Sequence, residues 1–179
     1  MNYIPLLRDR LNKIKIIRRC DDCELYETDN EFYFVRTDTT INSYHDGLDT
    51  YINILYVILL DLGCDKKFKL ADVLTGNIIG GSYPLDAIEF NFMNTGRTCF
   101  IHDFGSGRRT DYSLMLFIAS TLGYPHIYQK LLDMYGNKLG MDNLKTILKE
   151  GGIYINNNEC RDVLMRYINT HFNEEDIGL

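Results

Sequence analysis

The longest hydrophobic stretch of the chain, residues 41–62, carries apolar residues at helical spacing. Asp38, Thr39 and Thr40 offer N-caps before it, and Gly63 offers a C-cap after it. The second half of the stretch is apolar nearly all round, which is typical of a helix buried on every side. The pattern therefore predicts one central buried helix.

Alternating apolar and polar positions predict β-strands on both sides of this helix. Residues 25–35 predict a hairpin that closes at Asp29-Asn30, within an antiparallel meander over residues 14–36. Residues 88–102 predict a second hairpin, and residues 64–70 favour an edge strand. The first 105 residues are therefore expected to hold a sheet of about five strands.

Helical spacing returns in the last third of the chain, where caps and glycines set the boundaries. The predicted helices are residues 111–122, 125–135, 141–149 and 157–171, with a short one at 5–12 near the N-terminus. Gly136 is predicted to end the second of the four, and the acidic tail NEEDIGL is expected to be frayed.

These elements predict an α+β fold in a single globular domain over residues 1–179. Its sheet is small and mixed or antiparallel, its central helix is buried, and its C-terminal third is helical. The 179 residues are close to the usual domain size, and a 45% apolar share is ordinary for a globular protein. A chain of this length can bury a core without disulfides or metals.

The net charge and the cysteine content limit which functions and cellular compartments the chain is expected to have. The net charge of −6 argues against a general nucleic-acid binder, which would show a basic face. Five scattered cysteines and a charged N-terminus without an export signal predict reduced thiols and a cytoplasmic protein. The most apolar window, residues 51–62, is too short to span a bilayer, so no membrane association is expected.

Residues 86–111 hold the clearest candidate chemistry. Gly105 and Gly107 allow a tight turn before a helix N-terminus, and Arg108 and Arg109 can make forked contacts to an anion, so the segment could cradle a phosphate or carboxylate. The alternative is an ordinary strand-to-helix turn, in which the glycines serve geometry and the arginines pair with nearby carboxylates.

His102 and Asp103 form a second candidate, for acid–base work or for holding a divalent metal. Adjacent strand residues point to opposite faces. The two side chains can therefore serve one site only if the strand ends between them.

Asp86, Asn91 and the triplet Asp103-Phe104-Gly105 resemble the catalytic core of protein kinases and of the related aminoglycoside phosphotransferases. The resemblance covers residues 86–105. It implies Asp86 as the catalytic base and Asn91 and Asp103 as the two magnesium ligands, with ATP as phosphoryl donor. The chain departs from the family in lacking a glycine-rich nucleotide loop near its N-terminus and in the residues before Asp86.

The leading hypothesis is a non-enzymatic accessory protein that works without a cofactor by binding a protein partner, as an inhibitor, immunity protein, or viral or mobile-element factor. Abundant tyrosine and absent tryptophan fit the AT-rich genomes of such elements. The alternative is a degenerate kinase-like phosphotransferase using Mg²⁺ and ATP, or a phosphate-ligand-binding protein, through residues 86–111. The sequence predicts no oligomeric state.

Overall fold

The structure, a computed structural model, describes residues 2–14, 23–36, 46–73, 88–92, 97–104, 111–151 and 155–177. It confirms the predicted α+β class, with a sheet in the first part of the chain and helices in the last. The chain forms two compact units, Met1–Thr110 and Asp111–Leu179, and each is described by itself. The prediction of a single domain stays a prediction.

The first unit contains a five-stranded sheet and two helices. In chain order they are α1 (Ile4–Lys13), β1 (Cys23–Glu27), β2 (Glu31–Arg36), α2 (Asp46–Asp61), β3 (Lys67–Val73), β4 (Ile88–Phe92) and β5 (Arg97–Asp103). The strand order is β1-β2-β3-β5-β4. Both predicted hairpins, β1–β2 and β4–β5, are confirmed, while α2 connects β2 to a parallel β3. The first part of the predicted meander, residues 15–22, lies outside the described residues.

β3 lies in the middle of the sheet, so the prediction of an edge strand over residues 64–70 is wrong. The helical crossover lays β3 parallel against β2, and β5 pairs antiparallel with its other side. The lysines of β3 would fit a strand that is open to solvent on one side. Lys69 instead lies 3.6 Å from Glu31 of β2 and 3.5 Å from Asp103 of β5. Charge on a strand therefore did not indicate an edge, because neighbouring strands supply the counter-charges.

The outer face of the sheet packs against α2. Tyr51 of this helix meets Phe34 with ring centroids 6.0 Å apart, and Tyr56 meets Phe68 at 5.9 Å. The buried apolar residues of α2 are Ile52, Leu55, Val57, Ile58 and Leu59. The predicted central buried helix is thereby confirmed, although its proposed caps at residues 38–40 lie outside the described residues.

The inner face of the sheet surrounds its own apolar cluster. Its buried members are Tyr33, Val35, Ala71, Phe92, Cys99 and Ile101. Tyr26 of β1 contacts Phe92 of β4 with ring centroids 5.0 Å apart. Because β1 and β4 are the first and last strands of the sheet, this contact shows that the sheet curls around the cluster.

The second unit consists of α3 (Tyr112–Leu122), α4 (Pro125–Leu139), α5 (Met141–Glu150) and α6 (Asn158–Ile177) in its described residues. Asp111 caps α3, since its Oδ1 accepts the Leu114 N–H at 3.0 Å. Gly123 ends α3 in the left-handed conformation, with φ +75°, which glycine adopts without strain. No helix in the described ranges is both long and apolar enough to cross a membrane.

Two predicted helix ends in this unit are wrong. Gly136 does not end its helix, because α4 continues to Leu139. This glycine instead makes room for Tyr167 of α6, whose Cζ lies 2.6 Å from where a Cβ would stand. The helix predicted over residues 157–171 also continues further, because α6 ends at Ile177. The expected fraying of the tail stays a prediction.

Candidate functional site

His102 and Asp103, the last two residues of β5, lie on opposite faces of the sheet. His102 Nε2 is 3.3 Å from Asp72 Oδ2 on the outer face. Asp103 Oδ1 is 3.5 Å from Lys69 Nζ on the inner face. The strand continues through both residues, so the structure does not bring these two side chains to one site.

Asn91 lies on β4 opposite Thr98 and is exposed. Thr98 and His102 share the outer face of β5, so Asn91 is on the face of the sheet opposite to Asp103. The two residues that the kinase resemblance assigns to magnesium are therefore not brought together by the register of the hairpin. Within the described ranges, no three His, Cys, Asp or Glu side chains are grouped to hold a metal ion.

The other predicted site residues lie outside the described residues. They are Asp86, Gly105, Gly107, Arg108 and Arg109. Their roles as catalytic base and as anion cradle stay predictions.

The outer-face pair of Asp72 and His102 lies beside a buried arginine. Arg36 ends β2 with only 7% of its surface exposed, and it stands opposite Asp72 in the parallel register. An Asp–His pair can orient an imidazole for proton transfer. The nearest thiol along β5, that of Cys99, is buried in the inner-face cluster instead. The arrangement therefore acts as a polar bridge between β3 and β5.

The inner face ends in a second polar group built around Lys69. Its ammonium lies between the carboxylates of Glu31 and Asp103. The Tyr33 hydroxyl donates a hydrogen bond to Glu31. Burial, and then this hydrogen bond, raise the pKa of Tyr33 well above its usual value, so the phenol stays protonated at neutral pH. These contacts close one end of the apolar inner cluster.

An open groove of about 480 Å³ lies between α1 and β1. This size is within the range of small-ligand sites. Its lining residues are Arg8, Leu11, Asn12, Cys23, Glu24, Leu25, Tyr26, Phe34 and Tyr51. Leu11 and Phe34 are buried, so part of the floor is fixed by the protein core.

The groove lies against β1. Four consecutive residues, 23–26, line it. Among the described residues, β1 pairs with β2 only.

Glu27 fixes α1 beside β1. Its Oε1 accepts the Tyr3 N–H at 2.7 Å at the start of α1, and its Oε2 pairs with Lys66 Nζ at 2.5 Å. Glu27 and Lys66 are both nearly buried. The contacts hold the first turn of α1 against the end of β1, and the groove opens beyond them.

Arg8 lines the groove and forms no ion pair with another described residue. On the same helix, Asp9 pairs with Lys13 at 3.2 Å and Arg10 pairs with Asp61 at 2.5 Å. Arg8 is exposed and has no carboxylate within ion-pair distance in the described part of the chain. The carboxylate of Glu24 accepts the Tyr26 hydroxyl.

Sequence reasoning missed the groove entirely. The pattern of α1 indicated only an apolar face with Leu7 and Leu11, and Arg8 is one of several charges on a short helix. The separation between α1 and β1 that creates the cavity is a tertiary distance, which periodicity does not encode. The unmatched charge of Arg8 also becomes visible only when its neighbours' partners are known.

The cysteines correct another expectation. Cys23 at the groove is disulfide-bonded, while Cys64, Cys99 and Cys160 are not in disulfide bonds. The prediction that all five thiols are reduced is therefore wrong at Cys23. An odd total excludes complete pairing but does not exclude one bond.

Comparison with models of known protein families, with curated proteins and with solved structures finds no match for this chain.

Proposed function

We propose that this protein is a binding protein that captures an extended segment of a partner protein in the groove between α1 and β1. The supporting observation is that the groove combines an apolar floor, formed in part by the buried Leu11 and Phe34, with the exposed side chain of Arg8. Sites that bind a ligand are lined mainly by apolar side chains, with a few polar groups that fix the orientation of the bound segment.

The other polar groups in the first unit favour this choice. His102 and Asp103 each have a protein counter-charge across the sheet, so they hold strands together. The groove instead combines an unmatched cation with apolar residues that no described strand covers. No observation in the described ranges favours the phosphotransferase or phosphate-binding alternatives over peptide binding.

Selection from a phage-displayed library of random linear peptides tests the proposal. Asn12 is an exposed residue of the groove lining, so Asn12→Trp fills the cavity without entering the core. We expect selected peptides, measured by fluorescence anisotropy, to bind Asn12→Trp at least about tenfold more weakly than wild type, or about 1.4 kcal/mol. Amide hydrogen exchange in β1 should slow when peptide is bound.

Lys13→Trp is the matched control, because Lys13 is the next residue, is 71% exposed and does not line the groove. It should bind like wild type. The proposal fails if no linear peptide is selected, or if Asn12→Trp binds the selected peptides as tightly as Lys13→Trp does.

A further inference from the structure

We infer that the disulfide at Cys23 controls the groove: the protein holds its partner tightly while the bond is intact, and weakly once a thiol reductant has opened it. The inference rests on the proposed function and names a regulation of that same site. Cys23 is disulfide-bonded, and it also lines the groove between α1 and β1.

The position of Cys23 makes its bond accessible to small reductants. Cys23 is half-buried and lines an open cavity of about 480 Å³, whereas Cys99 and Cys160 are fully buried. Disulfides that solvent reaches are more readily reduced than buried ones, because a thiolate has to contact one of the two sulfur atoms. The bond at Cys23 is therefore of the kind that responds to thiols in solution.

The neighbouring thiols do not open this bond themselves. Burial raises the pKa of Cys160 to about 11 and also raises the pKa of Cys64, so both thiols stay protonated at neutral pH. The thiolate is the form that attacks a disulfide. We therefore expect the electrons to come from a thiol in solution.

The exchange consumes two thiols of the reductant, such as two molecules of glutathione. One thiolate attacks a sulfur atom of the bond and forms a mixed disulfide, which the second thiol resolves. The S–S bond of the protein is reduced to two thiols, and the two reductant thiols are oxidised to one disulfide. Their two protons pass to the sulfur atoms of the protein.

The bond lies at the start of β1, and a second anchor lies at the end of this strand. Cys23 is the first residue of β1. At the other end, the nearly buried Glu27 carboxylate accepts the Tyr3 N–H and pairs with Lys66. The three groove residues between these anchors, 24–26, are thus held from both ends while the disulfide is intact.

Reduction removes the covalent anchor and leaves the contacts of Glu27 in place. The ends of an element open locally at a lower free energy than its middle. A captured segment must then order the start of β1 again, and ordering the backbone of one residue costs about a factor of ten in an equilibrium constant. We therefore expect reduction to weaken capture about tenfold while the unit stays folded.

The test uses peptides selected on the oxidised wild-type protein, restricted to sequences without cysteine. Their affinity is measured by fluorescence anisotropy in buffers of oxidised and reduced glutathione. Iodoacetamide labelling and mass spectrometry measure the fraction of Cys23 in the disulfide. We expect the affinity to follow that fraction, to fall about tenfold in the reduced protein and to recover on reoxidation. Amide hydrogen exchange of residues 23–26 should become faster on reduction.

Two variants complete the test. Cys23→Ser cannot form the bond, so it should bind about tenfold more weakly than oxidised wild type in every buffer. Cys64→Ser is the matched control, because Cys64 is also half-buried but is not in a disulfide and does not line the groove. This variant should respond to glutathione as wild type does. Circular dichroism verifies that both variants fold, and the reduced wild type answers the question if Cys23→Ser does not.

The outcomes separate the two proposals. If reduced and oxidised wild type bind equally well, or if Cys23→Ser keeps the dependence on glutathione, redox control is wrong while peptide capture stands. Redox control is also wrong if Cys23 stays in its disulfide at the highest concentration of reduced glutathione. If wild type selects no peptide, or if Asn12→Trp leaves binding intact, peptide capture itself is wrong and the inference falls with it.

Discussion

Tyr128 is a fully buried residue of α4 whose hydroxyl has no hydrogen-bond partner among the described residues. Burial raises the pKa of this phenol well above its usual value, so the group stays neutral. A buried donor without a partner lowers the stability of the fold, because it has lost its hydrogen bonds to water and gained none in the protein. The ring fills space in the helical unit, while the oxygen adds a cost.

We expect Tyr128→Phe to leave the free energy of unfolding unchanged or to raise it by about 1 kcal/mol, because the ring stays and the unsatisfied hydroxyl goes. Urea unfolding at neutral pH measures it. Tyr33→Phe is the matched control, since the Tyr33 hydroxyl donates to Glu31, and it should lose about 1 kcal/mol. A clear loss of stability in Tyr128→Phe would contradict this view of the hydroxyl.

At the scale of elements, Gly136 determines how closely α4 and α6 approach. An added Cβ at this position would overlap the Tyr167 hydroxyl and stand 2.6 Å from its Cζ. Tyr167 is buried and its ring lies 4.1 Å from that of His171, so it has little freedom to turn aside. The absence of a side chain at Gly136 thus leaves the space that Tyr167 of α6 occupies against α4.

Gly136→Ala should therefore destabilise the protein by about 2 kcal/mol through overpacking, although alanine is intrinsically the better helix former by about 1 kcal/mol. Thermal unfolding followed by circular dichroism measures the change. Asn137→Ala, on the exposed neighbour, should stay within about 0.5 kcal/mol. If Tyr167→Ala does not reduce the cost of the alanine in the double variant, the clash is not its cause.

The curl of the sheet depends on Phe92. Its ring contacts Tyr26 and Tyr33 with centroids 5.0 and 4.8 Å away, and so joins the last strand to the first two. Phe90 lies two residues earlier on the same face of β4 but is 45% exposed. Substitution by alanine therefore removes the same ring from a packed environment at Phe92 and from an open environment at Phe90.

We expect Phe92→Ala to lower the free energy of unfolding by about 3–5 kcal/mol, and Phe90→Ala to lower it by about 1 kcal/mol or less. Chemical denaturation of both variants under one condition makes the comparison. Equal losses would show that the contact between the edges contributes little beyond ordinary burial.

Local pattern was enough for most of these elements. Asp111, Gly123 and Pro125 act locally and marked the helix boundaries that the structure has. Gly136 has the same chemistry but a tertiary role, and its neighbour Tyr167 is distant in sequence. β3 failed for a related reason: strand periodicity describes two faces and carries no information about which strands lie alongside.

The candidate site was less predictable. The alternation of side chains along β5 correctly predicted that His102 and Asp103 lie on opposite faces of the sheet, because this alternation is a local property of a strand. The partners Asp72 and Lys69 come from β3, and the groove depends on α1 and β1. Pairings of this kind are fixed by the whole arrangement of the unit, so no motif marks them.

At the scale of the molecule, the helices of the second unit pack on one another: α4 contacts α3, α5 and α6, and α5 also contacts α6. We expect a fragment of residues 111–179 to fold alone, because its helices bury a set of apolar side chains from all four elements. A cooperative thermal transition in its circular dichroism would support this. The same fragment with Leu131→Asp should be unfolded, and a gradual, non-cooperative melt of the parent fragment would contradict the expectation.

The parallel joint between β2 and β3 also orders the folding of the first unit. The hairpins β1–β2 and β4–β5 pair strands that are near in sequence, so each can form in about 1–10 μs. The pairing of β2 with β3 brings together two strands that are separated in sequence by all of α2. The entropy cost of closing this long loop must be met before the parallel pairing contributes any stabilisation. We therefore expect the two hairpins to form early, and we expect the pairing of β2 with β3 to be the late step that limits the folding rate of this unit.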